Sequence, residues 1–256
     1  MQLNSLKSLS IGLLWLFPAN SLLAQPGNFR DSRSKVTVSV EVSQKQAKPG
    51  GDIVLAVVLG HEEHWHTHTN DPVVPEELGD PEDYIATELV FELPEDSPLS
   101  IHEGFTQWPK PVLVEVGFVG TPVDYAVFEE IAVIYVPITI DADAPIGTTS
   151  FIIKPIFQSC DDTSCLRPTP QPDSGSPWDT YGITVAIEII EPSSSATVTT
   201  PTETFQSFER GVFQDIHAGV SAPAEEIRFD VFAIEFTINP DGLFGFLLLL
   251  VVAMGG

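Results

Sequence analysis

Alternating apolar and polar residues mark the chain between Lys35 and Pro192 as a succession of short strands. In KVTVSVEVS, residues 35–43, valines occupy every second position and mostly polar residues fill the positions between them. A period of two is typical of a strand with one buried face. Turn residues such as Pro, Gly and Asp separate this stretch from six more of β character, at 52–59, 86–93, 111–119, 130–140, 149–157 and 182–190.

Seven short strands with no helical period between them predict an all-β fold, an immunoglobulin-like antiparallel β-sandwich over residues 35–192. The Cys, Trp, Cys signature of antibody domains is absent. In those domains the bridge joins two sheets across a long loop, whereas the two cysteines of this chain are only five positions apart. The prediction of the fold therefore depends on the strands and turns alone.

The first 24 residues have the layout of a secretory signal. Lys7 is the only charge, the apolar run IGLLWLF follows, and NSLLA ends in a small residue, which predicts cleavage after Ala24. The alternative is a short buried helix. A secretory signal places the mature chain outside the cytoplasm, where a disulfide can form and persist.

The C-terminal part of the sequence has a different character from the strands. Residues 193–204, SSSATVTTPTET, read as a linker, and IRFDVFAIEFTI within 205–241 contains short strand-like stretches that form either an extra hairpin or a tether to a membrane. Residues 242–256 are apolar throughout but fall short of the roughly 20 residues that a span requires. They predict the start of a truncated transmembrane segment, with a buried terminal segment as the alternative.

The overall charge excludes one class of partner. The chain has 11 basic and 36 acidic residues and a formal net charge of −25. A surface with this charge repels phosphate backbones, so nucleic-acid binding is excluded.

Cys160 and Cys165 are the only cysteines, and they stand in the polar stretch FQSCDDTSCLRP. A disulfide that closes a loop of about six residues stabilises a fold by only about 2 kcal/mol. The polar sequence between the two indicates a hairpin connection at a sheet edge, and a closely spaced, exposed pair suits thiol-disulfide exchange. Three roles stay open on the residues alone: redox exchange, a structural staple and metal ligation.

Charged neighbours predict how readily these thiols ionise. Asp161 and Asp162 follow Cys160 and disfavour a thiolate, whereas Arg167, two residues beyond Cys165, favours one. The balance predicts cysteines that are not strongly acidic.

Four of the six histidines, His61, His64, His66 and His68, cluster in HEEHWHTHTND, residues 61–71. Imidazoles at this density provide ligands for zinc or copper, and in an extended segment the last three alternate onto one face. The competing interpretation is a polar loop with incidental or structural histidines. No cofactor is required by either interpretation, and adventitious zinc or copper binding is the expectation if the cluster holds a metal.

The cysteine stretch, together with HWHTH at 64–68 and TQWPKP at 106–111, resembles the N-terminal periplasmic domain of the thiol:disulfide interchange protein DsbD family. The resemblance covers residues 35–192 and accounts for the apolar terminus, because a membrane domain follows at that point in the family. It implies that Cys165 attacks the partner, that Cys160 resolves the mixed disulfide, and that Trp65 and His66 serve packing and a hydrogen bond.

The same resemblance implies a protein-disulfide reductase of the kind used in cytochrome c biogenesis. The domain would stand in the periplasm as part of an inner-membrane protein, take electrons from a membrane domain of the same polypeptide, and pass them to oxidised periplasmic proteins. The hypothesis from a different class is a noncatalytic exported sandwich that binds a metal ion or a protein partner and carries a structural disulfide.

Overall fold

A computed structural model describes residues 31–117, 122–171, 178–194 and 203–222, and the backbone of two strands after them. The predicted signal at 1–24 and the predicted membrane segment at 242–256 lie outside the described residues. The strands are β1 Val36–Val42, β2 Gln46–Ala47, β3 Asp52–His61, β4 His66–His68, β5 Glu88–Glu92, β6 Leu99–Ile101, β7 Val112–Val116, β8 Val123–Glu129, β9 Ile131–Ile140, β10 Gly147–Ile156, β11 Ser159–Cys160, β12 Ile183–Ile189, β13 Ile227–Val231 and β14 Ile234–Ile238.

Helices are few and short in the described part. One α-helix, α1, covers Val212–His217, and single 3-10 turns occur at Ser32–Ser34, Glu76–Leu78, Pro81–Asp83, Glu103–Phe105, Trp178–Thr180 and Glu203–Phe205. Within the described residues, no helix combines the length and the apolar character that crossing a bilayer demands.

Two four-stranded sheets form a sandwich. One sheet has the order β1-β3-β9-β6 and the other the order β2-β12-β10-β5. All pairs are antiparallel except β2 with β12, which is parallel. Taken in chain order, the first sheet corresponds to strands A-B-E-D of an immunoglobulin domain, and the second places C, F and G together. The predicted all-β, immunoglobulin-like sandwich is confirmed.

The core between the sheets consists of aliphatic and Phe side chains. From β3, the alternate residues Ile53, Leu55, Val57 and Leu59 point into it and are fully buried. The other sheet contributes Phe151, Ile153 and Ile187, among others. Burial of such side chains is the main favourable term in folding, about 25 cal/mol per Å² of apolar area.

The opposite face of β3 is also covered, which explains why DIVLAVVL is apolar at nearly every position. Val54 and Ala56 on that face pack, together with Tyr135 of β9, against three aromatic residues of the segment 203–222: Phe205, Phe208 and Phe213. The Tyr135 hydroxyl donates to the carbonyl of Thr204. Residues that directly follow the predicted linker 193–204 therefore lie on the sandwich, and β13 and β14 beyond them pair as a hairpin.

A third sheet, with the order β11-β4-β8-β7, is formed by strands that lie in the connections between the sandwich strands. Strand β4 lies between β3 and β5 in sequence, β7 and β8 lie between β6 and β9, and β11 follows β10. The third sheet continues the pairing of β3 with β9, because β4 pairs with β8 just beyond it. Glu130, at φ 52°, forms the bend between β8 and β9 and accepts the amide hydrogen of His61.

The structure corrects the sequence-predicted strands in this sheet. The predicted strand 111–119 is described as Val112–Val116, and β8 was not among the seven predicted strands. The short strands β2, β4, β6 and β11 were missed too, because two or three residues are too few for a period of two to show.

Candidate functional site: a disulfide hairpin beside buried histidines

Cys160 and Cys165 are joined by a disulfide and stand opposite each other in a tight hairpin. Their Cα atoms are 4.0 Å apart. Backbone hydrogen bonds from the Leu166 amide to the Ser159 carbonyl and from the Asp161 amide to the Ser164 carbonyl, each 2.9 Å, close the hairpin. Because β11 is an edge strand of the third sheet, the expectation of a hairpin connection at a sheet edge is met.

The turn of this hairpin is held by a single carboxylate. Asp161 Oδ1 accepts from the amides of Thr163 and Ser164, each at 2.8 Å, and from both hydroxyls. Burial raises the pKa of Asp161, but these hydrogen bonds outweigh that effect and leave the pKa below its ordinary value. Asp161 is thus both a negative charge beside Cys160 and the residue that shapes the turn.

The two cysteines differ in their exposure to solvent, whereas the polar sequence predicts that both are exposed. Cys160 is completely buried, since β11 pairs with β4 and places Cys160 opposite His66. Cys165 is exposed. One end of the disulfide therefore meets solvent and the other faces the interior of the third sheet.

His68 is the side chain that meets the buried sulfur. Its Nε2 lies 3.5 Å from Cys160 Sγ and 3.3 Å from Gln158 Oε1, and its Nδ1 lies 3.1 Å from the hydroxyl of Tyr125. The orientation of the Gln158 amide is set by the backbone, because its oxygen accepts from the Ile85 amide and its nitrogen donates to the Leu166 carbonyl. An oxygen facing Nε2 can only accept, so the Nε2 of His68 carries the proton and Tyr125 donates to Nδ1.

Aromatic rings enclose His68. Tyr84 and Tyr125 pack edge-on against the imidazole, with ring centroids 5.1 Å and 5.7 Å away. The His68 carbonyl accepts from the hydroxyl of Thr87 at 2.5 Å. This packing fixes the position of the ring, and His68 is only 1% exposed.

Burial keeps His66 and His68 uncharged. It lowers the pKa of each to about 4, from an ordinary 6.5. For His68 the neighbouring His66 lowers the pKa further, and for His66 the nearby Asp162 works in the opposite direction. Burial also raises the pKa of Tyr125. At neutral pH the interior of the third sheet thus holds neutral hydrogen-bonding groups next to a sulfur.

The four histidines predicted as metal ligands do not meet at one point. His61 uses its two ring nitrogens on the Glu130 carbonyl and the Thr67 hydroxyl, each at 3.1 Å, and His64 stands on a turn with φ 68° and an exposed ring. His66 and His68 do share one face of β4, as the alternation predicts, with ring centroids 6.5 Å apart. The four-histidine metal site stays a prediction.

A different set of ligand atoms is close together. In the described part of the chain, one group of three or more His, Cys, Asp or Glu residues brings a ligand atom from each within 4.8 Å of the others: His68, Cys160 and Cys165. Sequence reasoning found the cysteines and the histidine separately but did not join them. Gln158, Tyr84 and Tyr125 are not predicted from the sequence, since a single Gln or Tyr, whether in a strand as Tyr125 or in a connection as the other two, has no distinguishing pattern.

Comparison with known proteins adds context. No protein-family model matches the chain, and no curated protein matches it. Among solved structures, the chain is similar to the N-terminal periplasmic domain of ScsB from Proteus mirabilis, with 13% identity over 77% of this chain and 58% of that one, at a TM-score of 0.37. It is also similar to the DsbD N-terminal domain of Neisseria meningitidis in the reduced form, with 13% identity over 61% and 86% and a TM-score of 0.32.

A type I cohesin from Pseudobacteroides cellulosolvens matches in the same range, with 6% identity over 62% of this chain and 96% of that one and a TM-score of 0.31. The second similar structure comes from the family that the cysteine motif resembles. With TM-scores below 0.5 for proteins of such different kinds, the function proposed for this chain depends on its own residues.

Proposed function

We propose that this protein is a thiol-disulfide exchange module that reduces disulfides of other proteins through Cys160 and Cys165. The observation that carries the proposal is the asymmetry of the pair. An exposed Cys165 is open to a partner, whereas the buried Cys160 is out of reach for a foreign disulfide but adjacent to Cys165. Exchange requires both properties: access for attack and a second thiol that ends the mixed disulfide.

The reaction begins with the reduced pair. The Cys165 thiolate attacks one sulfur of the partner disulfide, forming a Cys165–partner disulfide while the other partner sulfur leaves as a thiolate and takes a proton. Cys160 then attacks Cys165 Sγ, which closes the Cys160–Cys165 disulfide and releases the second partner thiol. The partner gains two electrons and two protons, and this protein loses the same.

His68 assists the resolving step. Its Nε2–H faces two acceptors, Gln158 Oε1 at 3.3 Å and Cys160 Sγ at 3.5 Å, and Tyr125 holds the other side of the ring through Nδ1. A hydrogen bond to a thiolate favours the charged form, so His68 stabilises the Cys160 thiolate in an otherwise buried position. His68 acts through Cys160 and is therefore a positioning residue.

A dithiol donor must return the pair to the reduced state. By its resemblance to the DsbD family, we assign this role to a membrane domain of the same polypeptide and place the module in the periplasm. Oxidised periplasmic proteins, including those of cytochrome c biogenesis, would be the acceptors. Neither the donor nor these acceptors enters the test that follows.

The test is trapping with a peptide disulfide as the probe. The full chain is reduced, freed of reductant and mixed with the peptide, and adducts are read by mass spectrometry. Cys160→Ser is expected to accumulate a mixed disulfide at Cys165, because the resolving thiol is missing. Cys165→Ser is expected to react at least about tenfold more slowly, because its remaining thiol is buried. Equal adduct formation at the two cysteines would overturn the proposal.

The same experiment separates the noncatalytic alternative. If the disulfide resists mild dithiol until the fold is lost, the bridge is a structural staple. Circular dichroism of the reduced chain shows whether the native sheets survive reduction, as exchange requires, or are lost with the disulfide.

A further inference from the structure

Reduction turns the disulfide into two thiols beside an imidazole that is already in place. Cys160 Sγ, Cys165 Sγ and His68 Nε2 lie within 4.8 Å of one another, and the Nε2 to Cys160 Sγ distance is 3.5 Å. With Zn–N near 2.0–2.1 Å and Zn–S near 2.3 Å, a tetrahedral zinc ion separates its N and S ligands by about 3.6 Å. The observed spacing of imidazole and sulfur is thus the spacing that one zinc ion imposes.

We propose that the reduced protein binds one Zn²⁺ ion through Cys160 Sγ, Cys165 Sγ and His68 Nε2, and that closure of the disulfide expels it. The proposal rests on the proposed function in one respect, since it requires the cysteines to be reducible in the folded protein. It adds a ligand and a means of regulation: bound zinc would occupy the attacking thiolate and hold the module inactive.

The surroundings of His68 suit a metal ligand. Zinc-binding histidines almost always use their second ring nitrogen to donate a hydrogen bond, which orients the ring. In His68 that nitrogen is Nδ1, 3.1 Å from the Tyr125 hydroxyl, whose oxygen can accept once the proton sits on Nδ1. Gln158 Oε1 keeps the Ile85 amide as a partner when Nε2 turns to the metal. The tyrosine packing already holds the ring in position.

Charge favours zinc in this partly buried position. Two thiolates neutralise one Zn²⁺ ion, so the loaded site carries no net charge, and an uncompensated buried charge is avoided. Three protein ligands leave the fourth position for water on the exposed side of Cys165. To reach tetrahedral geometry the sulfurs must separate to about 3.8 Å, which reduction itself permits.

Zinc release is coupled to the redox step with electrons and protons in balance. The zinc-bound pair and a partner disulfide, with two protons, give the Cys160–Cys165 disulfide, free Zn²⁺ and two partner thiols. The oxidant is the partner disulfide of the proposed function. Free zinc in the medium therefore opposes oxidation of the pair.

The experiment titrates Zn²⁺ into the reduced, metal-free full chain in competition with a chromogenic chelator. We expect one ion per reduced chain and none per oxidised chain, and thiolate-to-metal charge-transfer bands when Co²⁺ replaces zinc. Cys165→Ser, at an exposed position, should remove binding, and His68→Ala should weaken it at least about tenfold, since even outer partners of zinc ligands are worth 10–100-fold. His64→Ala, in the neighbouring turn, is the matched control and should bind like the parent.

Two results would overturn the inference: no zinc bound by the folded, reduced chain, or binding that depends on His64 rather than on His68. Exchange with the peptide disulfide is measured in parallel on the metal-free protein. Exchange without zinc binding removes this inference alone, whereas absence of exchange removes the proposed function.

Discussion

The sandwich core is apolar throughout, whereas the third sheet buries polar groups beside a smaller apolar cluster of Val116, Tyr125 and Val127. Between the two sandwich sheets the buried side chains are Val, Ile, Leu, Ala and Phe. In the third sheet the buried residues include His66, Thr67, His68, Tyr125 and Cys160. No buried side-chain nitrogen or oxygen in the described residues lacks a hydrogen-bond partner.

Because of this difference, the residues that stabilise the fold and the residues beside the disulfide lie in separate parts of the structure. A buried polar group that keeps its partners contributes little net stability, whereas one that loses a partner costs about 1–3 kcal/mol. The sandwich can therefore supply the free energy of folding, and the third sheet can hold groups chosen for reactivity. The turn at 62–65 between β3 and β4 and the bend at Glu130 between β8 and β9 connect the two regions.

Acidification should give the largest effect and should act on the third sheet. His66 and His68 have folded pKa values of about 4, so the unfolded chain takes up protons first as the pH falls below 6.5. The free energy of unfolding is therefore unaffected by these histidines above pH 6.5 and decreases as the pH falls from 6.5 to 4. Between pH 7 and pH 5 we expect the free energy of unfolding to drop by roughly 4 kcal/mol.

Urea unfolding of the oxidised protein at several pH values, with a chelator present, measures this loss. The matched variant is His66→Asn with His68→Gln, which should flatten the dependence in that window. The same slope in parent and variant would assign the effect to other groups and would end the contrast between the regions.

A truncation in the sandwich should affect stability without affecting chemistry. Ile134 on β9 is fully buried and pairs across to Val57. Ile134→Ala leaves a cavity and is expected to cost about 2–5 kcal/mol. The exchange rate of the folded protein with the peptide disulfide should stay unchanged, and a parallel loss of rate would show that core and site are coupled.

Opening the disulfide should cost less than either change. The bridge closes a loop of about six residues, so reduction is expected to lower the free energy of unfolding by about 2 kcal/mol with the sheets intact. Denaturant midpoints of the reduced and oxidised chain, both free of metal, measure the difference. Unfolding on reduction would contradict it and favour a structural staple.

The smallest effect is expected from the turn. Asp161→Ala removes the acceptor for two amides and two hydroxyls in an exposed loop and should cost about 1 kcal/mol. Asp162→Ala, next in the chain, is the control. If the two variants lose the same stability, the turn does not depend on the Asp161 carboxylate.

The sequence predicts those features that have a period or a rare residue. Apolar runs such as DIVLAVVL and EIAVIYVPITI predict buried strands, and the two cysteines with the polar residues between them predict the hairpin. Strand β8 has only a weak signal, since Val123, Tyr125 and Val127 alternate with one polar residue, Asp124, and with the apolar Ala126.

Contacts that join distant positions could not be predicted in this way. His68 and Cys160 are 92 residues apart and meet only because β11 adds to the edge of β4. The sequence gives no strand or helix pattern for residues 203–222, yet Phe205, Phe208 and Phe213 anchor this segment on β3 and β9. Local composition does not reveal which face of a sheet will accept such side chains.

The hairpin that carries both sulfurs has a kinetic consequence. Its backbone hydrogen bonds and the Asp161 turn do not involve the sulfur–sulfur bond, so the two thiols stay neighbours after it opens. In the exchange proposed above, Cys160 held in this way would attack Cys165 as an intramolecular nucleophile of very high effective molarity. A partner joined to Cys165 would then be released quickly, and the rate of this intramolecular step would set the lifetime of the mixed disulfide.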